Sequence, residues 1–332
     1  MELKIDGYSV LAEPNETLLQ ITERLGLRTQ KLSTDPIVAK IAGRIFTLNY
    51  IPVRQKDVES ELKSVREAIA ASKGNIRLLR YTDASGAAAY TRTAQFIIFL
   101  AISQLWPNAR TKMSCNVGTG LYFKVSGADN FTAEALKKRV AEIVNEDIPL
   151  IRKRIMTADA IKYFAAKGED DKARLFSYRE MPTLDVYEHN GFADYYYGEM
   201  AASTGALRVW DILDAPGGFV FIFPNSQNPD VVADPPELPK LLSVYNEGKA
   251  WCELMECETV ADLNELVDTG RIRELIRINE ALHEKRFSQV ADMICKRGSK
   301  AVMLAGPSSS GKTTSANRLA TQLRVHGKKP IL

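Results

Sequence analysis

Gly306-Pro307-Ser308-Ser309-Ser310-Gly311-Lys312-Thr313 follows the spacing G-x-x-x-x-G-K-[ST], whose chemistry is the cradling of phosphate groups. Gly306 and Gly311 permit backbone angles and close approaches that a side chain forbids, so successive N–H groups and the start of a helix can face phosphate oxygens. Lys312 would then reach the β- and γ-phosphates, and Thr313 would offer its hydroxyl to Mg²⁺. Pro307, Ser308, Ser309 and Ser310 complete a small, largely polar loop, which Thr314 follows. ATP and Mg²⁺ are the cofactors this spacing suggests. The competing reading of the same residues is a serine-rich linker.

Such a loop needs a strand before it and a helix after it. Lys300-Ala301-Val302-Met303-Leu304-Ala305 is a short apolar run that reads as a buried strand. Ala316, Leu319, Ala320 and Leu323 recur at helical spacing between Thr314 and Val325, and Gly327 stops the pattern. A single strand and helix cannot bury their own apolar area, so Ala301–Ala305 is expected either to pack on the preceding helices or to pair with another molecule, which makes a homo-oligomer an open expectation.

Further upstream, Leu3 to Val10 alternates around Asp6-Gly7 as a hairpin would, Glu16 to Leu25 has a helical pattern, and Ile37 to Leu48 reads as a second hairpin. Lys56 to Lys73 is a charged helical stretch, and Tyr90 to Leu105 is amphipathic. Pro224 to Pro239 is proline-rich and polar, as a boundary would be. Helical patterns then cover Leu241 to Cys257, Val260 to Val267 and Arg271 to Lys296. The charged face from Arg271 to Arg277 reads as solvated, or as a site for a regulatory anion.

Composition sets the remaining bounds. With 45% hydrophobic and 26% charged residues, the 332-residue chain can bury a full core in two or three domains. A net charge of +3, from 44 basic and 41 acidic residues, does not by itself argue for nucleic acid. Cys115, Cys252, Cys257 and Cys295 lack zinc-finger spacing, and Cys252 with Cys257 reads as a pair of small buried residues or as metal ligands. No apolar run of about twenty residues and no leader pattern is present, which suggests a reduced, cytoplasmic setting without a membrane partner.

Three resemblances organise these signals. Ile5-Asp6-Gly7, Pro14-Asn15-Glu16-Thr17-Leu18 and Val38-Ala39-Lys40-Ile41-Ala42-Gly43 resemble the TGS domain, the β-grasp module at the front of threonyl-tRNA synthetases and some GTPases. Gln104-Leu105-Trp106-Pro107, Gly120-Leu121-Tyr122-Phe123 and Asp185 to Asp194 resemble the second additional domain shared by threonyl- and alanyl-tRNA synthetases. In the synthetases that domain hydrolyses mischarged tRNA through two histidines four apart on a helix, with a cysteine and a histidine elsewhere. Carried over residue by residue, those positions are Thr91, Gln95, Tyr196 and Met200, none of which offers an imidazole as base or ligand. The resemblance thus implies a catalytically silent scaffold. His189 lies outside the set and reads as a turn residue, and Tyr195-Tyr196-Tyr197 reads as core packing or as a stacking surface for a base.

Joined to the glycine loop and to His326-Gly327-Lys328-Lys329-Pro330, these modules are similar to bacterial nucleoside kinases of the uridine kinase and phosphoribulokinase family that carry a synthetase-like front half. The resemblance implies transfer of the ATP γ-phosphoryl group to a nucleoside 5′-hydroxyl, uridine or cytidine in kind. The family's catalytic acid would fall beyond Leu332, so no catalytic residue is expected within the chain, and the chain is expected to be an inactive piece of a longer enzyme.

The fold expected is an α+β front half followed by helices and the first strand-loop-helix unit of an α/β kinase domain. Its parts are a TGS-like module at 1–62, a linking helix at 63–76, the second domain at 77–225, a proline-rich linker at 226–240, helices at 241–298 and the start of the kinase domain at 299–332. The alternative, from another class, is an RNA- or tRNA-binding synthetase-related module with a secondary nucleotide site. Whether the front half is a sensor, an RNA binder or a scaffold stays open at this point.

Overall fold

The computed structural model describes residues 2–52, 72, 74–235 and 239–332. The fold is mixed α+β, with three sheets and nine α-helices among the described residues. It divides into two compact units, residues 1–168 with 179–247, and residues 169–178 with 248–332.

The first unit opens with a five-stranded sheet. β1 (Glu2–Ile5) and β2 (Tyr8–Leu11) turn at Asp6-Gly7, and β3 (Val38–Ile41) and β4 (Arg44–Thr47) turn at Ala42-Gly43. Both turns hold two successive residues at positive φ, 47° and 90° in the first and 47° and 84° in the second, the geometry that matches hairpin twist. Helix α1 (Leu18–Arg24) begins at a capping box. The Gln20 N–H donates to Thr17 Oγ1 at 3.1 Å, and the Thr17 N–H donates to Gln20 Oε1 at 2.8 Å. Leu3, Ile5, Val10, Ala39 and Ile41 pack with Leu18 and Ile21 in one cluster, each larger side chain contributing about 1.5–3 kcal/mol of burial.

The middle strand of that sheet comes from an unexpected place. β5 (Asn75–Leu79) lies between β1 and β3, parallel to the first and antiparallel to the second, giving the order β2-β1-β5-β3-β4. A boundary near residue 76 therefore falls inside a strand, because Ile76 and Leu78 fill the gap between two apolar strand faces. The charged stretch expected to be helical, Lys56 to Lys73, lies almost wholly outside the described residues.

Asp83 then caps α2 (Ala84–Leu105), whose apolar face buries Tyr90, Phe96, Ile97 and Ala101. Against it lies a sheet of order β11-β12-β7-β6, formed by β6 (Arg110–Val117), β7 (Gly120–Ser126), β11 (Asp211–Ala215) and β12 (Gly218–Ile222), with α3 (Ala133–Asn145) alongside. Phe123 and Phe219 stack across β7 and β12 with ring centroids 4.9 Å apart. Gly218 is required here, since a Cβ would meet the Phe123 carbonyl oxygen at 1.9 Å. A third sheet, β10-β9-β8, is built from β8 (Arg152–Met156), β9 (Thr183–His189) and β10 (Phe192–Tyr195), with α4 (Thr157–Ala166) beside it.

The stretch expected to be a proline-rich linker from 226 is folded back in its described part. The Asn225 N–H donates to the Val231 carbonyl at 2.9 Å, the Ala233 N–H to the Phe223 carbonyl at 3.1 Å, and Val232 and Ala233 pack on Val117, Tyr122 and Ile222. Apolar side chains at 232 and 233 outweigh the local proline signal.

The second unit holds α5 (Asp170–Ser177), α7 (Val260–Asp268), α8 (Ile272–Arg297) and α9 (Lys312–Val325), together with the end of α6 (Pro239–Leu254), which begins in the first unit. Arg174 on α5 reaches Asp262 at 2.6 Å and Glu265 at 3.3 Å on α7. Glu284 on α8 takes Arg318 and, at 3.1 Å, the amide of Gln322 on α9, and His326 meets Asp292 at 2.8 Å. Ala291, Leu319 and Ala320 are buried in this unit. Cys252 is exposed and Cys257 half-buried, and the described residues contain no group of three His, Cys, Asp or Glu able to hold a metal. No helix of the described residues is long and apolar enough to cross a membrane.

Lys300–Ala305 does not form the expected strand. These residues carry no strand pairing, and Val302, Met303 and Leu304 are 49%, 94% and 46% exposed. A strand exists only by pairing, and no other strand among the described residues lies in this unit to pair with the apolar run. The expectation that it packs on the helices before it is corrected by the same exposure.

Candidate functional site

The glycine loop leads directly into α9. Ser309 and Gly311 both have positive φ, 61° and 77°, and Gly311 is the residue immediately before the helix. At Gly306 a Cβ would come within 2.8 Å of Ser310 Oγ, a contact that rotation of the serine side chain relieves. Lys312 folds its amine back over the loop, donating to the carbonyls of Gly306 at 2.9 Å and of Pro307. The Ser315 N–H is already used by the Gly311 carbonyl at 2.9 Å, as the first turn of the helix requires. Pro307, Ser308, Ser309, Ser310, Thr313 and Thr314 are all exposed. What results is an exposed polar loop at the positive end of a helix, with an amine tethered beside it.

The four positions carried over from the synthetase pocket gather in one region of the first unit. Thr91 and Gln95 sit one turn apart on α2, and the segment after β10 that carries Tyr196 and Met200 lies along the same turns. Arg92 donates to the Glu199 carbonyl at 2.9 and 2.8 Å, the Ala201 N–H to Thr93 Oγ1 at 3.0 Å, and Phe96 packs against Tyr196 at 6.3 Å. Met200 is fully buried, and the Gln95 amide donates to Met113 Sδ at 3.0 Å. An amide, a hydroxyl, a phenol and a thioether offer no base near neutral pH.

The tyrosine run divides by position. Tyr196 joins the core between Phe96 and Tyr187, whereas Tyr197 is 68% exposed, edge-on to Tyr195 at 5.6 Å. His189 closes β9 before the Asn190-Gly191 turn.

The same region holds a charged group that sequence reasoning did not single out. Glu199 is 6% exposed, its carboxylate facing Arg152 at 3.0 Å and the Tyr187 hydroxyl at 3.4 Å. Burial raises the Glu199 carboxyl above its ordinary value, against the opposing pull of Arg152, and burial likewise raises the Tyr187 phenol. Arg152 also approaches Asp185 at 3.7 Å, and Arg154 binds Asp185 at 2.8 Å, so β8 presents its cations to carboxylates of β9 and of the 199 segment.

Comparison with known proteins points one way. The threonine–tRNA ligase of Syntrophomonas wolfei subsp. wolfei is 24% identical over 207 residues, 61% of this chain and 29% of that protein. That of Carboxydothermus hydrogenoformans is 26% identical over 226 residues, 66% of this chain and 32% of the relative. That of Laribacter hongkongensis is 29% identical over 141 residues, 41% and 22% of the two chains. The chain thus spans about a third or less of the length of these curated relatives. No family model matches it.

These likenesses overturn the nucleoside-kinase expectation. The relatives are named as ligases acting on tRNA, not as kinases, and a uridine-type phosphate acceptor has no support among them. Of the two flanks expected for the phosphate loop, the helix after it is present and the strand before it is not.

Proposed function

We propose that this chain is an RNA-binding module related to threonyl-tRNA synthetases, with a secondary phosphate-binding site at Gly306–Thr314. The observation that carries the reading is the repeated likeness to threonine–tRNA ligases over 141 to 226 residues. Within it, the five-stranded sheet with α1 is read as the TGS-like part and the α2-centred region as the second-additional-domain-like part. The latter binds without catalysing, because Thr91, Gln95, Tyr196 and Met200 replace every group that could activate water.

At the secondary site, Gly306, Pro307, Ser308, Ser309, Ser310 and Gly311 would wrap phosphate oxygens with their backbone. Lys312 would leave its loop carbonyls for the phosphate chain, and Thr313 would meet Mg²⁺ carried by ATP. Thr314 follows it in the first turn of α9 and would face the same phosphates. A mobility-shift assay with unmodified tRNA and with duplex DNA of similar length tests the main reading. Retarded tRNA with weaker retention of DNA supports it, and no retardation of tRNA at micromolar protein rejects it.

A further inference from the structure

The open face of the five-stranded sheet carries a shallow depression of about 460 Å³, between the two hairpin turns and away from α1. Its cations come from three adjacent strands: Lys4 of β1, Arg77 of β5 and Lys40 of β3. The register makes Lys40 and Arg77 directly opposite one another, and like charges so placed repel across the strand pair. Neighbouring strands run about 4.8 Å apart, and Lys4, level with Asn75 on the far side of β5, lies two strands across and two residues along from Lys40.

The nearby carboxylates do not relieve this charge. Asp6 is engaged by the Leu78 N–H at 2.9 Å and by Arg80 at 3.1 Å. Asp83 takes one nitrogen of Arg77 at 2.7 Å and leaves the arginine side chain 68% exposed, with donors to spare. Lys4 and Lys40 are exposed and have no carboxylate partner among the described residues. At the rim, Gly7 and Gly43 both have positive φ and nothing within 4 Å of where a Cβ would stand, so a ligand can approach the turn backbone closely.

We infer that this depression is a phosphate-binding site, with Lys4, Lys40 and Arg77 as its cations. A bound phosphate sits between three positive charges that otherwise repel, and the low relief of the site suits an extended polyanion better than an enclosed small molecule. The phosphates come either from an RNA backbone, in which case the site rests on the RNA-binding reading above, or from a free polyphosphate.

The test uses the whole chain with Lys312→Ala, so that the glycine loop contributes nothing, and compares it with the same chain also carrying Lys4→Glu and Lys40→Glu. Retained thermal unfolding confirms that the exposed substitutions leave the fold intact. Affinities for tRNA and for inorganic tripolyphosphate are measured in parallel. A tenfold or greater loss of tRNA affinity, with the log–log salt slope shallower by about 1.5, assigns the site to RNA phosphates. Loss confined to tripolyphosphate assigns it to a free polyphosphate. Equal behaviour of the two chains toward both ligands overturns the inference, while failure of the parent chain to bind tRNA at all counts separately, against the RNA reading.

Discussion

The Arg152 guanidinium and the Glu199 carboxylate stand 3.0 Å apart, with the glutamate side chain 7% exposed. A carboxylate so buried depends on its partner, and removing the partner leaves an uncompensated charge. Arg152→Met is therefore expected to destabilise the first unit by about 3 kcal/mol, read as a fall in the denaturation midpoint. The double variant with Glu199→Gln should recover most of that loss, since no buried charge remains unmatched.

Glu199 also sets a pH dependence. Its folded-state value lies above the ordinary glutamate value of 4.5 because burial outweighs the attraction of Arg152. The native state thus holds the proton more tightly than the unfolded chain. Its contribution is fully present below 4.5 and declines as pH rises from there through the raised value. Urea midpoints measured from pH 4 to pH 8 should show this decline in the parent and a flatter profile in Glu199→Gln.

How far these features were legible in the chain depends on how local their causes are. The hairpins at Asp6-Gly7 and Ala42-Gly43 and the helix from 272 to 297 rest on turn residues and periodicity within a few positions and read directly, as did residues 90 to 105 of the helix that begins at Ala84. β5 did not read as part of the first sheet, because its place between β1 and β3 is fixed by pairing with strands far away in sequence. Glu199 was invisible for the same reason, its carboxylate being matched by Arg152 on another element of the chain. Lys300–Ala305 shows the converse, an apolar run with strand composition and no neighbour to pair with. The glycine loop was legible residue by residue, but the fold of Lys312 back onto its own loop was not.

The unpaired run and the helix after it should differ in hydrogen exchange. Amides of Val302, Met303 and Leu304 are expected to exchange within seconds, whereas those in the middle of α9, anchored through Arg318 and Gln322 to Glu284, should be slowed. Glu284→Ala removes both anchors and should raise exchange in α9 while leaving the sheets of the first unit unchanged.

In the first helix, Thr17→Ala removes the side chain that accepts from Gln20 N–H and is expected to cost about 1 kcal/mol. In a unit of this size that corresponds to a thermal midpoint lower by about 2–4 °C, measurable by circular dichroism.

At the glycine loop, isothermal titration with Mg-ATP should give heat that Lys312→Ala reduces at least tenfold. Gly311→Ala should weaken it as well, because the residue before α9 holds φ at 77°, which a side chain disfavours. Unchanged heat in both variants would assign the loop to a purely structural role.

The central claim is that this chain binds tRNA through its phosphates. Fluorescence anisotropy with labelled tRNA across 50 to 300 mM salt measures that most directly. The account predicts micromolar or tighter affinity at the lowest salt and a log–log slope of about −2 or steeper, reflecting the release of counterions from several phosphates. An absence of binding at every salt concentration, or an affinity independent of salt, would contradict it.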